Sequence, residues 1–270
     1  MKKDFYLNKD LSGILILALA VVLLMAIASG LGILFPNVFY PDPGMREQFL
    51  ANDPVNILIG LPLLIISLIL MSKDKLLGTL LLPGALIYVI YNYLGYALGR
   101  PWDVFAILYL TLAVLSFIAL VFLLQAIDHQ AVMRRVEDRV GRRFSGWVLV
   151  IFGLAFIGLA VSTIVTGIQG GTIPPLGENA VSIADILVSL GWVSGGILLL
   201  CRKPLGFSTG LGLLVAASSL FIGLILFFFF APLVSARPFD WIEVITVLVM
   251  GLICFIPTGI YWRGVINSQI

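Results

Sequence analysis

Eight stretches of this chain are each long and apolar enough to cross a lipid bilayer as a helix, and nothing constrains its fold more. A hydrocarbon core about 30 Å thick takes roughly 20 apolar residues in helical form. Runs of this kind, bounded by charges or turn residues, cover residues 12–35, 55–71, 77–98, 104–126, 146–167, 183–200, 207–231 and 241–261. They are apolar on every side rather than alternating, which excludes lipid-spanning strands. Hydrophobic residues make up 61% of the 270 and charged ones 11%, more apolar surface than a water-soluble fold of that length can hide. The expected class is all-α: a polytopic membrane helix bundle with eight transmembrane helices.

Lys and Arg resist translocation, so their placement orients the spans. With the N-terminus inside, only Arg46, Arg100 and Arg237 of the 16 basic residues fall outside, and both termini are expected in the cytoplasm. The "AIA" at Ala26–Ala28 imitates a signal-peptide cleavage site, but the apolar run continues through Leu34, so the first span is read as retained. Cys201 and Cys254 lie toward the cytoplasmic side without a CxxC spacing, and read as small apolar side chains rather than a disulfide.

Two similar strings, "GRPWDV" from Gly99 and "ARPFDW" from Ala236, stand four spans apart. Span 2 opens "NILIGL" at Asn56 and span 6 opens "DILVSL" at Asp185, each closing on a short basic loop, "SKDKLLG" or "CRKPLG". These echoes divide the chain into a first four-helix repeat (1–127), a basic linker (128–145) and a second four-helix repeat (146–270). Four spans return the chain to the same side, so the repeats are expected to be parallel, related by an axis along the membrane normal. The second repeat carries about eight more residues between these landmarks, placed around "FFFFAPLVS". In the linker, Val132, Val136, Val140 and Phe144 recur every fourth residue and predict an amphipathic helix on the cytoplasmic face. Its Arg134, Arg135, Arg139, Arg142 and Arg143 are expected against anionic lipid headgroups rather than nucleic acid.

Each RP-aromatic-D string suits a helix start, with Pro at the first helical position and Asp facing the positive end of the helix dipole. Trp102, Phe239 and Trp241 fall at interfacial depth, and Arg100 and Arg237 can reach headgroups. The alternative is a ligand role. Asp53, Asn56, Asn92, Asp185 and Glu243 are polar groups in or beside apolar spans, where they cost free energy unless they face a partner or a watery cavity. With Arg100, Asp103, Arg237 and Asp240 they would make a charged, outward-facing vestibule. On span 3, Tyr88, Asn92 and Tyr96 are four apart and share a face, with Gly95 beside them, suited either to interhelical packing or to holding a polar headgroup or small organic molecule. Pro62, Pro83 and Pro257 bend spans, and Gly153, Gly158, Ser194–Gly196, Gly206 and Gly210 should allow close helix contact.

His129 is the only histidine and is read as solvated. Multi-histidine metal sites, paired haem ligands and a Ser–His–Asp triad in the membrane therefore lack their parts, and no cofactor is expected. The stretch beginning "DPVNILIGLP" and running through "YNYLGYALGRPWD", about a quarter of the chain with its flanks, resembles a widespread group of prokaryotic polytopic membrane proteins. That resemblance implies a prokaryotic cytoplasmic membrane and transfers no site residue. The expected function is binding or transport of a small molecule or lipid through an outward-facing polar cavity. Two alternatives stay open. A carboxylate-dependent enzyme acting on lipid needs acids from different helices near one reacting atom, and a ligand-free scaffold needs a filled interior.

Overall fold

The computed structural model describes residues 7, 11–169, 176–235 and 238–268. Eight helices among them are long and apolar enough to cross a membrane: α1 (Ser12–Leu34), α2 (Pro43–Ser72), α3 (Leu76–Leu98), α4 (Val104–Ala126), α5 (Arg142–Gln169), α6 (Leu176–Leu200), α7 (Pro204–Val234) and α8 (Trp241–Asn267). The chain is a multi-pass membrane protein.

Several helices exceed the apolar runs that announce them, because a helix continues beyond the hydrocarbon wherever it is capped. In α2 the cap is Asp42, whose carboxylate accepts from the N–H groups of Gly44 and Met45 ahead of the apolar run, with Pro43 at the first helical position. Two π turns interrupt this helix, Arg46–Leu50 and Asn56–Gly60, each adding one residue to the winding.

The helices of residues 12–126 pack in ring order, α1 on α2, α2 on α3, α3 on α4 and α4 back on α1. Those of residues 142–267 follow the same order, α5, α6, α7, α8 and back to α5. The rings meet at α3 and α7, while α6 also touches α3 and α2 also touches α7. Accordingly α3 is the most buried span, whereas the outer helices turn rows of Ile, Leu and Val outward to lipid. Gly84 and Gly212 mark the crossing: a Cβ on Gly84 would lie 2.3 Å from the Gly212 carbonyl oxygen.

The α2–α3 and α6–α7 turns have one geometry at positions 128 residues apart (74 and 202). Asp74 and Arg202 both adopt left-handed φ, 54° and 55°. Lys75 N–H bonds the Leu70 carbonyl as Lys203 N–H bonds that of Leu198. Gly78 and Gly206 sit where a Cβ would strike the backbone of the preceding helix, 2.3 Å from Met71 N and 2.5 Å from Leu199 N. Left-handed φ costs a side-chain-bearing residue about 1–2 kcal/mol and glycine's extra unfolded-state entropy costs about 0.5–1. Arg202→Gly is therefore expected to stabilise by about 0.5 kcal/mol, read as a raised thermal midpoint in detergent. An unchanged or lowered midpoint would contradict the strain argument.

The basic turns and the linker gather at one end of the bundle. There the linker forms a helix only over His129–Val136, capped by Asp128, and Val140 lies in the turn that follows. Val132, Val136 and Val140 are buried, and the linker helix packs on α7. The apolar stripe thus has a protein partner rather than lying on a lipid surface. Phe144 departs from it: it belongs to α5 and is 46% exposed. Three linker arginines address helix C-termini, whose last carbonyls attract cations. Arg135 bonds the Ser268 carbonyl, Arg139 that of Asn267, and Arg142 that of Leu200 at 2.7 Å. His129 is half-buried rather than solvated, and its burial holds the imidazole below the ordinary histidine range.

Of the small residues expected at contacts, Gly153, Gly195, Gly196, Gly206 and Gly210 each have atoms of a neighbouring helix within 3.1 Å of a would-be Cβ. Gly158 and Ser194 do not serve that role. Gly158 has open space and Ser194 is exposed.

Candidate functional site

At the end of the bundle away from the basic turns, a cavity of about 290 Å³ opens between the two rings. Its walls come from α2, α3, α6 and α7, with Phe156 of α5 closing one corner. The volume is at the small end of the range typical of ligand pockets.

The α3 sequence "YVIYNYLGY" supplies one wall. Tyr88, Asn92 and Tyr96 lie on one face, as their four-residue spacing predicts, and all three line the cavity with Gly95. Tyr91 lines it too, because it follows Tyr88 by three residues and so falls on an adjoining strip. Each tyrosine hydroxyl has a partner, as buried phenols require. Tyr88 donates to Asn56 Oδ1 at 3.2 Å, Tyr91 to Asp185 Oδ1 at 2.9 Å, and Tyr96 to Asp53 Oδ1 at 3.1 Å and to the Phe49 carbonyl at 3.0 Å. Asn92 donates to the Tyr88 carbonyl and accepts from Asn52 Nδ2 at 2.8 Å, so two amides and three phenols are held in fixed rotamers.

Asp185 lies on α6 facing α3 and lines the cavity. Ala184 precedes it in the wall. Trp192, two turns further, is 4% exposed, and its indole N–H has no acceptor among the described residues. The rim carries Glu178, Val181 and Leu224, all exposed.

Behind Tyr96 is a second polar cluster that does not line the cavity. Asp53 is 1% exposed and accepts from Tyr40 at 2.8 Å as well as from Tyr96. Tyr40 is 3.3 Å from the Tyr109 hydroxyl, and the rings of Phe49, Tyr93, Tyr96 and Tyr109 pack about this carboxylate with neighbouring centroids 4.8–5.8 Å apart. Gly32 of α1 makes the room: a Cβ there would lie 2.2 Å from Asp53 Oδ2. Asn56, fully buried, links the cluster to the wall through Tyr88, with Tyr96 3.5 Å from its amide nitrogen.

Among the described residues, the remaining sequence candidates do not line the cavity. Arg100 does not reach outward: its side chain is 1% exposed, paired with Asp103 at 2.6 Å and lying 5.1 Å and 5.5 Å from the ring centroids of Phe105 and Tyr109. Its Nε and Nη1 have no acceptor among the described residues. Asp103 is the N-cap of α4, accepting from Ala106 N–H at 2.8 Å, and Asp240 is the N-cap of α8, accepting from Ile242 N–H at 2.7 Å. The helices therefore start one residue after each Asp, and Pro101 and Pro238 lie just outside them rather than at the first helical position. Trp102, 72% exposed, fits an interfacial anchor. Glu243 is in the first turn of α8, off the cavity, and Arg237 lies outside the described residues.

Gln48, Asn52, Tyr91, Phe156, Trp192 and Phe221 are among the wall residues that the sequence did not single out. Tyr91 alone left a readable signal, in its spacing from Tyr88. Comparison with known proteins found no matching family model, curated protein or solved structure.

Proposed function

We propose that this membrane protein binds a small amphipathic molecule in the cavity between its two halves, and that the halves are parallel four-helix repeats whose basic ends face the cytoplasm. The cavity carries the reading. It is mostly apolar, with Asn52, Tyr91, Asn92 and Asp185 as convergent polar groups fixed by one another or by their neighbours, the pattern that distinguishes a ligand site from a packing defect. The exposed rim residues Val181 and Leu224 are apolar, which suits a ligand arriving from the lipid phase. Among the described residues the only carboxylates at the cavity are Asp185 and Glu178, both from α6, which does not favour acid–base chemistry between helices. A scaffold would have filled the space.

The repeat reading is supported by the matched turns, the shared ring order and the Gly84–Gly212 crossing, itself 128 residues apart (84 and 212). Asn56 and Asp185 are 129 apart, and the one-residue excess matches the π turn at Asn56–Gly60. From the shared starts of α3 and α7, α7 runs eight residues longer, 31 against 23, and absorbs "FFFFAPLV" as helix. The positive-inside bias supports the orientation, and the resemblance over spans 2 to 4 supports a prokaryotic cytoplasmic membrane. Arg134 and Arg143 are the linker arginines best suited to anionic headgroups, since Arg135, Arg139 and Arg142 already hold helix ends.

Gly95→Leu tests the cavity. A Cβ at Gly95 meets nothing within 4 Å, so the new side chain enters the cavity without displacing backbone, and a helix tolerates Leu better than Gly. The variant is expected to fold and to lose at least about tenfold in affinity for small aromatic probes such as benzyl alcohol, measured by calorimetry in nanodiscs. Equal affinity in wild type and variant, or no probe binding to either, would refute the site.

A further inference from the structure

The charge and ring content of the cavity go further than its size. Asp185 sits inside it and Glu178 on its rim, while among the described residues no Lys, Arg or His lines it. The one well-buried cation among the described residues, Arg100, is engaged by Asp103 and does not line the cavity. Asp185 receives one hydrogen bond, from a neutral phenol, and no cationic side chain approaches it within 4.0 Å among the described residues. A carboxylate in so apolar a wall is stabilised in its ionised form by a counter-charge, and nothing in the wall provides one.

Aromatic rings share the cavity with that carboxylate. Phe156 of α5 meets Trp192 of α6 at 5.8 Å and 82°, and meets Phe221 of α7 at 6.0 Å and 71°, so Phe156 stands at a steep angle to one ring from each of two other helices. Tyr91 and Tyr96 face them from α3. Rings set at such angles present π faces in several directions, the arrangement that holds an alkylammonium head which a carboxylate alone could not distinguish from a proton or a metal ion. A metal is poorly served here, since no group of three His, Cys, Asp or Glu side chains converges among the described residues.

Resting on the reading of this cavity as a ligand site, we propose that its ligand is an organic monocation, an amine or quaternary ammonium with an apolar body. The cationic head lies among Phe156, Trp192 and Phe221 with Asp185 as counter-ion. The apolar body extends toward Val181 and Leu224.

Benzyltrimethylammonium and its uncharged isostere neopentylbenzene separate charge from shape. Binding of each is measured at equal free aqueous concentration to wild type, Asp185→Asn and Gly95→Leu in nanodiscs. The expected result is that wild type prefers the cation by at least about tenfold, that Asp185→Asn removes this preference while keeping affinity for the isostere, and that Gly95→Leu weakens both. The wild-type comparison does not depend on any variant folding. Equal or tighter binding of the isostere overturns the cation inference and leaves the cavity reading intact. A cation preference that survives Asp185→Asn overturns the role given to Asp185. Failure of both probes to bind wild type overturns the inference and the cavity reading together.

Discussion

Gly84→Ala is expected to destabilise the protein by about 3 kcal/mol, far more than a methyl group costs elsewhere in an α-helix. The new Cβ would stand 2.3 Å from the Gly212 carbonyl oxygen, 2.9 Å from its carbonyl carbon and 3.0 Å from its Cα. All three are backbone atoms of another helix, so no side chain can turn aside and α3 must draw back from α7. That separation loosens the contact where the two rings meet and the cavity walls with it. The reciprocal Gly212→Ala is milder, because its nearest neighbours, Gly84 N at 2.9 Å and Pro83 Cβ at 3.0 Å, need less displacement. Gly158→Ala serves as the control, since it meets open space and gains helix propensity. Thermal unfolding in detergent should rank the three as Gly84→Ala least stable, Gly212→Ala intermediate and Gly158→Ala at or above wild type. A Gly84→Ala midpoint equal to that of wild type would show that the helices do not cross so closely.

That crossing was only partly legible. Hydropathy found all eight spans, because twenty apolar residues in succession have few other uses, but it located hydrocarbon rather than helix and missed the capped extension of α2 from Pro43. It could not say which spans are central. Pro83–Gly84 reads in isolation as a kink, and only a backbone at contact distance explains why a side chain is absent. The π turns left no trace in hydropathy, since one residue added to the winding changes no side chain's character. Charge proved the weaker guide. Arg100 looked like a headgroup anchor because of its place before a helix, yet the rings of Phe105 and Tyr109 and the adjacent Asp103 draw it inward. Asp103 and Asp240 are consumed by local capping, which every helix start demands and which a list of acids does not reveal.

Periodicity put Tyr88, Asn92 and Tyr96 on one face of one helix, and all three line the cavity. Asp185 stood out because an acid inside an apolar run is costly without a reason. Trp192 could not stand out, since in an apolar span a tryptophan reads as packing. The role proposed for it depends on Phe156, 36 residues before it in the chain (156, 192), and on Phe221, 29 after it (192, 221), which Phe156 meets in turn.

The carboxylate of Asp53 offers a sharper test of packing logic than any single substitution. Gly32→Ala places a Cβ 2.2 Å from Asp53 Oδ2 and 2.9 Å from the Tyr40 hydroxyl, in a pocket with no outlet. Asp53 must then rotate away and surrender the hydrogen bonds from Tyr40 and Tyr96, leaving a buried carboxyl group short of donors at about 1–3 kcal/mol. Gly32→Ala alone is therefore expected to cost about 2–3 kcal/mol. In an Asp53→Ala background the obstructing oxygen is gone, and the Tyr40 hydroxyl, released from its acceptor, can turn toward Tyr109, 3.3 Å away. There the same Gly32→Ala change should cost under about 1 kcal/mol, giving a coupling of about 1–2 kcal/mol between residues 21 apart in sequence. Asp53→Asn should fall between, since it keeps one oxygen to accept from a phenol. Unfolding free energies of the four proteins of the cycle decide the matter: penalties that simply add would mean that Gly32 is small for some reason other than the carboxylate it faces.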